Sequence, residues 1–352
     1  MGRVVPSLAI AVLCCCAACS GEPARAAENV APPPGSAAAP RPSAAVTRVP
    51  APERAPAPVP AARELRFAGT DWPQDELLQR LGSAVPQAFK PVGSTSTVFR
   101  TRLGNGLEAA FKARTRNRPH GPASEVAAYR LARCLHLDNA PPAVSRRVRL
   151  SVLRDLLDPK RAAIWPQIEE RLLPESDDTV RVAAIFWIPV LADVGVDKQS
   201  GRRLVGQWLG AEGAIPDGRR ALAASLSTMV AFDYLIGNFD RWSGDNVSGD
   251  EQATFVYLRD HDQAFQLGLG EGVQRQMLDD VVGCERFSRR FYESLRGFDR
   301  GCLERELAQD PEGLALLGER QMAELLDRRE ALLSHIETLI AQQGEAKVLI
   351  FE

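Results

Sequence analysis

The sequence is short of the residues and spacings that several common types of site need. It has four histidines among 352 residues, and beyond Cys19 no two cysteines are spaced as CxxC, so a zinc site is not expected. It contains neither a GxxxxGK[ST] nor a GxGxxG segment, which excludes the usual P-loop and dinucleotide-binding loops. Its net charge is −2, so no broad electrostatic attraction to nucleic acid or anionic lipid is expected. Any phosphate-binding site is therefore local.

The first 19 residues have the composition of an export signal. Arg3 supplies one positive charge, and an apolar run extends from Leu8 to Leu13. Because this run is too short to cross a bilayer as a helix, we expect a cleavable signal over residues 1–18. The small residues before Cys19 resemble a bacterial lipoprotein signal, which implies lipidation of Cys19 and an exported, membrane-anchored protein at the periplasmic or outer-membrane face of the cell envelope. A plain secretory signal stays open, because Cys16 stands where lipoproteins usually have leucine.

Residues 20–62 are dominated by alanine and proline. Such a segment buries too little apolar surface to offset its ordering entropy, so we expect a disordered linker between the membrane and a folded domain. Residues 63–352 have a globular composition and are enough for one large two-lobed domain. The domain contains Cys134, Cys284 and Cys302. Cys284 and Cys302 are the closest of these in sequence, and the sequence leaves open whether they are bridged or are small buried residues.

Hydrophobic patterns divide the domain into a strand-containing first part and a mainly helical second part. Residues 93–99 and 107–112 predict two strands joined by a Gly-Asn-Gly turn at 104–106. Ser124 is the expected N-cap of a helix that runs to about residue 137. Further predicted elements are a buried run at 182–191 that links the two parts, a strand at 254–258, and helices at about 219–236, 285–296, 302–308 and 319–342.

The most informative stretch covers residues 233–246. A helix with apolar residues on its inner side runs into Gly237-Asn238, a pair typical of helix ends. Asp240 and Arg241 then fall on a loop directly after a buried helix, a place that favours catalytic groups. A plain helix cap and turn would account for the glycine, an amide and one carboxylate. It would not account for four carboxylate or amide side chains together with an arginine within ten residues, so the pattern favours a catalytic loop.

A second carboxylate of interest follows Asp240 by twenty residues. The β-rich run at 254–258 leads to Asp260-His261-Asp262. A lone aspartate after a strand more often forms a turn. Next to a loop such as that of Asp240, it is well placed to bind Mg²⁺ or Mn²⁺, because such cations prefer carboxylate oxygens together with substrate phosphates. Asp260 is therefore the predicted metal ligand.

A third group lies upstream. Lys112 ends an apolar strand, so its stem is expected to be partly buried, and a buried ammonium needs an anionic partner. Glu125 falls on the apolar face of the next helix, thirteen residues later, and the two side chains can pair and position phosphates. An alternative is that Glu125 only complements the helix dipole. Gly93 and Ser94 offer backbone N–H groups to phosphates, which is a weak signal by itself.

The order of these parts resembles that of protein-kinase-like proteins. The HRD and DFG triplets of classical protein kinases are absent. Gly237-Asn238-Phe239-Asp240-Arg241 is similar to the GNxDR loop of the atypical branch with the four-jointed and Golgi casein-kinase family, HipA-type kinases and phosphatidylinositol kinases. Asp260-His261-Asp262-Gln263-Ala264-Phe265 is similar to that branch's D-[HN]-G-x-x-F segment. The run from Glu125 to Leu131, followed by Pro141-Pro142, resembles the E-x-A-A-[FY]-x-L…P-P segment of the four-jointed group.

The resemblance implies an α+β, two-lobed kinase-like fold, with a small β-rich N-lobe at about 63–185 and a mainly helical C-lobe at about 186–352. It implies ATP and Mg²⁺ or Mn²⁺ as cofactors. The site residues that it implies are Asp240 as catalytic aspartate, Asp260 and Asn246 as metal ligands, and Lys112, Glu125, Gly93 and Ser94 as nucleotide-binding residues. Asn246 follows Asp240 by six residues, where classical kinases use five.

The implied activity is ATP- and metal-dependent transfer of a phosphoryl group to a hydroxyl of an exported protein or glycan, with no nucleic-acid partner. Two alternatives stay open: a catalytically inactive kinase-like scaffold lipoprotein, and transfer of AMP from the same pocket. Asp262 in place of the usual glycine favours the first alternative, as does the scarcity of ATP outside the bacterial cytoplasm. Trp187 and Trp208 are expected to pack in the core or between the lobes.

Overall fold

The computed structural model of the protein describes residues 65–93 and 97–352. The expected signal at 1–18, the lipidated Cys19, the linker at 20–62 and Ser94 lie outside the described residues, so they stay predictions. Among the described residues, no helix is both long and apolar enough to cross a membrane.

The first part of the chain is built on a five-stranded antiparallel sheet with strand order β1-β2-β3-β5-β4. The strands are β1 Pro86–Val92, β2 Val98–Leu103, β3 Glu108–Ala113, β4 Ala143–Arg149 and β5 Thr179–Phe186. β3 is central and places Lys112 between Val98 of β2 and Ala183 of β5. The strand predicted at 107–112 is confirmed. Of the strand predicted at 93–99, Val98 and Phe99 lie in β2, Gly93 and Thr97 lie outside it, and residues 94–96 are outside the described residues.

Four helices accompany the sheet. They are α1 Gln74–Ser83, α2 Gly121–Cys134, α3 Leu150–Asp155 and α4 Trp165–Arg171. α2 begins at Gly121, before the predicted N-cap, because Pro122 suits the first turn, where no N–H is needed. Ser124 therefore lies inside the helix, where its hydroxyl donates to Ala264 O at 3.0 Å. The N-cap expectation for Ser124 is wrong.

The second part of the chain is mainly helical. Its helices are α5 Lys198–Leu209, α6 Arg220–Ile236, α7 Glu271–Val282, α8 Arg289–Gly297, α9 Arg300–Ala308, α10 Glu319–Gln343 and α11 Glu345–Val348. The four helices predicted in this part correspond to α6, α8, α9 and α10. α5 and α7 were not predicted, because Gly201 and Gly206 weaken the helical pattern of α5 and α7 buries only Met277 and Val281.

Two predicted segments differ from the structure. Residues 254–258 are largely buried but form no strand, since Val256 makes a single bridge to Gly249 and Leu258 N donates to Asn139 O at 3.0 Å. Val256 and Leu258 pack instead in the apolar cluster of the helical part, and Tyr257 packs in the cluster beside the sheet. The run at 182–191 is buried only in its first half, because β5 ends at Phe186 and residues 189–191 are exposed.

Two apolar clusters stabilise the fold. One lies beside the sheet, where the ring of Phe89 contacts the rings of Phe99 and Phe111 with centroids 5.7 Å apart. The other is formed largely by α2, α6 and α10. The prediction of an α+β chain with a β-rich first part and a mainly helical remainder is confirmed.

Cys134, at the end of α2, forms a disulfide with Cys302 of α9, with the two Cα atoms 6.1 Å apart. Cys284 is not bridged to Cys302. It is a buried free thiol, and burial raises its pKa to about 12. The pair closest in sequence is therefore not the pair that meets in space, and the disulfide ties α2 covalently to the helical part.

Candidate functional site

Lys112 and Glu125 meet as the sequence predicts. Lys112 lies near the end of β3 and Glu125 in the second turn of α2, and both are buried. Lys112 Nζ is 2.7 Å from Glu125 Oε1. The same oxygen accepts a hydrogen bond from the backbone N–H of His261 at 3.0 Å, which fixes the carboxylate. The predicted contact is confirmed, whereas its part in phosphate binding stays a prediction.

Two more carboxylates contact the same ammonium. Asp260 Oδ1 lies 2.5 Å and Asp262 Oδ2 lies 3.1 Å from Lys112 Nζ. Asp260 adopts a φ of 62°, a left-handed conformation that is uncommon outside glycine and is often found at functional sites. We call Lys112, Glu125, Asp260 and Asp262 the Lys112 cluster. The sequence did not predict that Asp262 would take part in it.

Burial and neighbouring charges shift the pKa values of Lys112 and Asp260 in the cluster and of His261 beside it. Burial lowers the pKa of Lys112, but the neighbouring carboxylates, Glu125 first, raise it above its ordinary range. Burial raises the pKa of Asp260, but Lys112 holds it well below its ordinary value. Burial and then Arg241 lower the pKa of His261 to about 3. At neutral pH, Lys112 and Asp260 are therefore ionised and His261 is neutral.

The loop after α6 is held in place by Arg241. α6 ends at Gly237, whose φ of 66° suits glycine. Arg241 Nε and Nη2 donate to the two carboxylate oxygens of Asp233 at 2.7 and 2.9 Å. Its Nη1 donates to the carbonyls of Asn246 and Arg259 at 2.8 and 2.7 Å. The buried guanidinium thus joins the loop to the backbone beside the Lys112 cluster.

Asp240 is half-buried at the start of a short 3₁₀ helix, Arg241–Ser243. Its N–H donates to Asn238 Oδ1 at 3.3 Å, and its carbonyl accepts from Asn246 Nδ2 at 2.9 Å. Asn246 Nδ2 also donates to Ser243 Oγ at 3.0 Å. Because these bonds use the amide nitrogen, Oδ1 is the candidate ligand atom of Asn246. The roles predicted for Asp240 and Asn246 stay predictions.

A cavity of about 260 Å³ opens beside the Lys112 cluster. Lys112, Glu125, Arg259 and Asp260 form its polar part, and Gly93 borders it. Its other lining residues are apolar or aromatic: Val92, Val98, Ala110, Pro141, Ile185, Phe186, Trp187, Ile188 and Leu191. A cavity with one charged and one apolar part suits a ligand that joins an aromatic ring to an anionic group.

The two tryptophans singled out in the sequence have different places. Trp208 is buried in the apolar cluster of the helical part. Trp187 follows β5, is only partly buried and lines the cavity. The guanidinium of Arg100 lies 4.7 Å from the centroid of the Trp187 ring. The position of Trp187 at a cavity could not be predicted, because nothing in the sequence around a lone tryptophan distinguishes a packed ring from one that lines a cavity.

A larger depression of about 970 Å³ lies elsewhere on the described surface. It is lined by residues from 211–220, 286–289 and 342–352, and it contains no member of the Lys112 cluster and no residue of the Asp240 loop. The chemistry-bearing side chains therefore select the smaller cavity as the candidate site.

The donor set fits a divalent cation that is held partly by phosphates. Three carboxylates face one ammonium, so the cluster carries excess negative charge. Within residues 65–93 and 97–352, however, no three His, Cys, Asp or Glu side chains are placed to ligate one ion. Mg²⁺ is usually held by one or two carboxylates together with substrate phosphates. Asp260 offers a carboxylate and Asn246 an amide oxygen of the kind that such a site uses, and their role as joint ligands stays a prediction.

No family model and no curated protein sequence matches the chain. A crystal structure of the Golgi casein kinase with Mn and ADP bound is similar over 81% of this chain and 80% of that chain, with a TM-score of 0.63 and 17% identity. The structure of hydra Fam20 with sugar is similar over 81% of this chain and 94% of that chain, with a TM-score of 0.60 and 17% identity. This chain has a protein-kinase-like fold. At such identities the similarity shows the fold alone.

Proposed function

We propose that the protein is an ATP- and metal-dependent phosphotransferase that phosphorylates a hydroxyl of an exported protein or glycan. The observation that carries the proposal is the contact of Lys112 with Glu125 and Asp260 at the charged part of a half-apolar cavity. The kinase-like fold supports it, and the Golgi casein kinase structure of that fold contains Mn and ADP.

The cavity would divide ATP between its two parts. Val98, Ala110, Ile185 and Trp187 offer apolar surface to the adenine ring. Lys112, oriented by Glu125, would hold phosphate oxygens with a fixed positive charge. Such pre-arranged charge favours the developing negative charge of phosphoryl transfer without rearrangement.

Asp240 would accept the proton of the acceptor hydroxyl and orient that hydroxyl. Its backbone is fixed by Asn238 and Asn246, whereas its half-buried side chain stays accessible. Asp260 and Asn246 would hold the divalent cation, which when bound would neutralise phosphate charge. Arg241 would keep the loop and the metal-binding segment in register through its four hydrogen bonds.

We place this activity outside the cytoplasm, with the chain anchored to the envelope through lipid on Cys19. The export-type pattern of residues 1–19 supports this location. The ATP source would then have to be extracytoplasmic, which makes the identity of the phosphoryl donor part of the test.

The test follows label from ATP labelled at the γ- or the α-phosphate. The full-length chain is incubated with Mg²⁺ or Mn²⁺, and label is measured in the chain itself and in the released small molecules, so that no acceptor has to be known. We expect γ-label to be transferred, and transfer to fall by about 100-fold or more in Asp240→Ala, since positioned acid–base groups contribute about 10²- to 10⁴-fold. Asp279→Ala, at an exposed position of α7, is the matched control.

Other outcomes assign other functions. Transfer of α-label would make the protein an AMP transferase. Metal-dependent nucleotide binding without any transfer would favour an inactive kinase-like binding protein. Asp262 supports the inactive binding protein as the second candidate, because its carboxylate lies 3.1 Å from Lys112 Nζ, where phosphates would have to bind.

A further inference from the structure

We propose that Asp262 is a positioning residue. Its carboxylate pairs with Lys112 while no nucleotide is bound, and it moves to pair with Arg118 when phosphates bind. This inference rests on the proposed function, because it concerns the same cavity. Asp262 is the residue of the cluster that departs from the D-[HN]-G-x-x-F pattern, in which a glycine stands at this position.

Three carboxylates surround the ammonium of Lys112. Its Nζ donates hydrogen bonds to Glu125 Oε1 at 2.7 Å and to Asp260 Oδ1 at 2.5 Å. Asp262 Oδ2 lies 3.1 Å from Nζ as an ion pair. A protonated lysine has three N–H donors, and the carboxylate of Asp262 lies beside the one that remains. A phosphate oxygen can therefore approach this donor closely only when Asp262 moves away.

Asp262 is the carboxylate with the weakest hold on Lys112. Its distance to Nζ is the longest of the three. Glu125 is fixed by the additional N–H of His261. If Asp260 turns to bind a cation, it frees one donor of Lys112, but the carboxylate of Asp262 still lies beside the ammonium and repels phosphate. Nucleotide therefore has to displace Asp262 whether or not Asp260 also moves.

Arg118 is placed to receive the displaced carboxylate. Its Nε is 3.7 Å from Asp262 Oδ2, and this buried nitrogen has no hydrogen-bond partner within the described residues. A buried donor without a partner is unfavourable, so a shorter contact with Asp262 would be a gain.

The structure also gives Asp262 room to move. Asp262 and Arg118 both line a second cavity, of about 500 Å³. The backbone at Gly121 lies close to Asp262, since a Cβ added to Gly121 would be 3.3 Å from Asp262 Cβ. Arg118 and Asp262 therefore lie on adjoining segments, and a side-chain rotation towards this cavity would bring their charged groups together.

The test is ADP binding to the full-length chain, measured by calorimetry in EDTA and again in Mg²⁺. Asp262→Asn and Asp262→Gly remove the competing carboxylate, so we expect both to bind ADP about three- to tenfold more tightly than wild type in EDTA. A merely structural role would not produce such a gain. Asp279→Asn, exposed on α7, controls for the change in net charge and should bind like wild type.

Arg118→Gln tests the second partner. Without Arg118, the carboxylate of Asp262 has no partner other than Lys112 to turn to. We therefore expect Arg118→Gln to lower ADP affinity by about threefold more than Arg116→Gln, which removes a charge at an exposed position of the same loop. In the Asp262→Asn background this extra loss should disappear, because the two substitutions act on one interaction.

Three results would overturn the inference. Weaker ADP binding by both Asp262 variants in Mg²⁺ would make Asp262 a metal ligand. Unchanged affinity in both variants would leave Asp262 a packing residue. If no variant and not even the wild-type chain binds ADP, with or without metal, the proposed function is overturned as well. If the wild-type chain binds ADP and either of the first two results is obtained, only this inference is overturned.

Discussion

Arg241 and Lys112 are both buried basic side chains, but they differ in the number of carboxylates that surround them. Arg241 faces one carboxylate, that of Asp233, which it binds through two nitrogens, and its third nitrogen serves two carbonyls. Lys112 faces three carboxylates. The first group is balanced and holds a loop. The second has an excess of negative charge that folding alone does not require, so the comparison separates a structural ion pair from a candidate binding site.

Breaking the balanced pair should have the largest effect. Asp233→Ala leaves the Arg241 guanidinium buried without its carboxylate, and removal of one partner of a buried pair costs about 3–5 kcal/mol. We expect the free energy of unfolding to fall by this amount in denaturant titrations. The double variant Asp233→Ala with Arg241→Leu should recover part of the lost unfolding free energy. The control Asp279→Ala should lose none of it. A loss below about 1 kcal/mol in Asp233→Ala would contradict the structural role of the pair.

The covalent tie of α2 comes next. Cys134→Ser with Cys302→Ser opens a bridge that spans 168 residues of sequence, and loss of a disulfide typically costs about 2–4 kcal/mol. Because α2 carries Glu125, we also expect weaker nucleotide binding. Wild type in reductant should unfold like the double variant, and Cys284→Ser serves as the control. Equal stability with and without reductant would show that the bridge does not contribute.

Asp260→Asn tests the unbalanced group. Asparagine tolerates the left-handed conformation at this position, so the fold should remain while the carboxylate proposed to bind metal is lost. We expect metal-dependent nucleotide affinity to fall about 100-fold, since even partners of metal ligands contribute about 10- to 100-fold. Titration of nucleotide in Mg²⁺ and in EDTA separates the metal-dependent part. Affinity equal to that of wild type in Mg²⁺ would remove Asp260 from the metal site.

The last prediction concerns pH, and its effect is spread over several pH units rather than produced by one substitution. The folded-state pKa of His261, about 3, lies below its ordinary value of 6.5. At pH values between about 3 and 6.5, His261 is protonated in the unfolded chain and neutral in the folded chain. The contribution of His261 is therefore present above about pH 6.5 and is lost as the pH falls, by at most about 1.4 kcal/mol per pH unit. Asp260, whose pKa is also depressed, adds to the loss only below about pH 4.

This prediction is checked with denaturant titrations between pH 4 and 7. His261→Gln should flatten the slope of unfolding free energy against pH, whereas His120→Gln, at an exposed position, should leave it unchanged. A slope that persists in His261→Gln would assign the pH dependence to other groups.

What the sequence could predict depends on how local the signal is. The end of α6 at Gly237 and the contact of Lys112 with Glu125 follow from patterns within a few turns of chain, and both are present. The disulfide partner of Cys302 lies 168 positions away, and Asp262 lies 150 positions from Lys112, so no local pattern predicts either contact. Ser124 failed as an N-cap because Pro122 nearby begins the helix earlier.

The backbone of Asp260 has a consequence for how this position can change. A side chain in the left-handed region costs about 1–2 kcal/mol, which glycine avoids. Glycine would relieve the backbone strain there but would remove the carboxylate. A longer or branched residue would keep the steric penalty and would not place a carboxylate where that of Asp260 lies. Two contributions to stability therefore oppose each other at residue 260, because glycine would relieve the backbone conformation but would also remove the ion pair with Lys112. Asp260→Gly is accordingly expected to give little net gain in thermal stability, even though it removes a backbone strain.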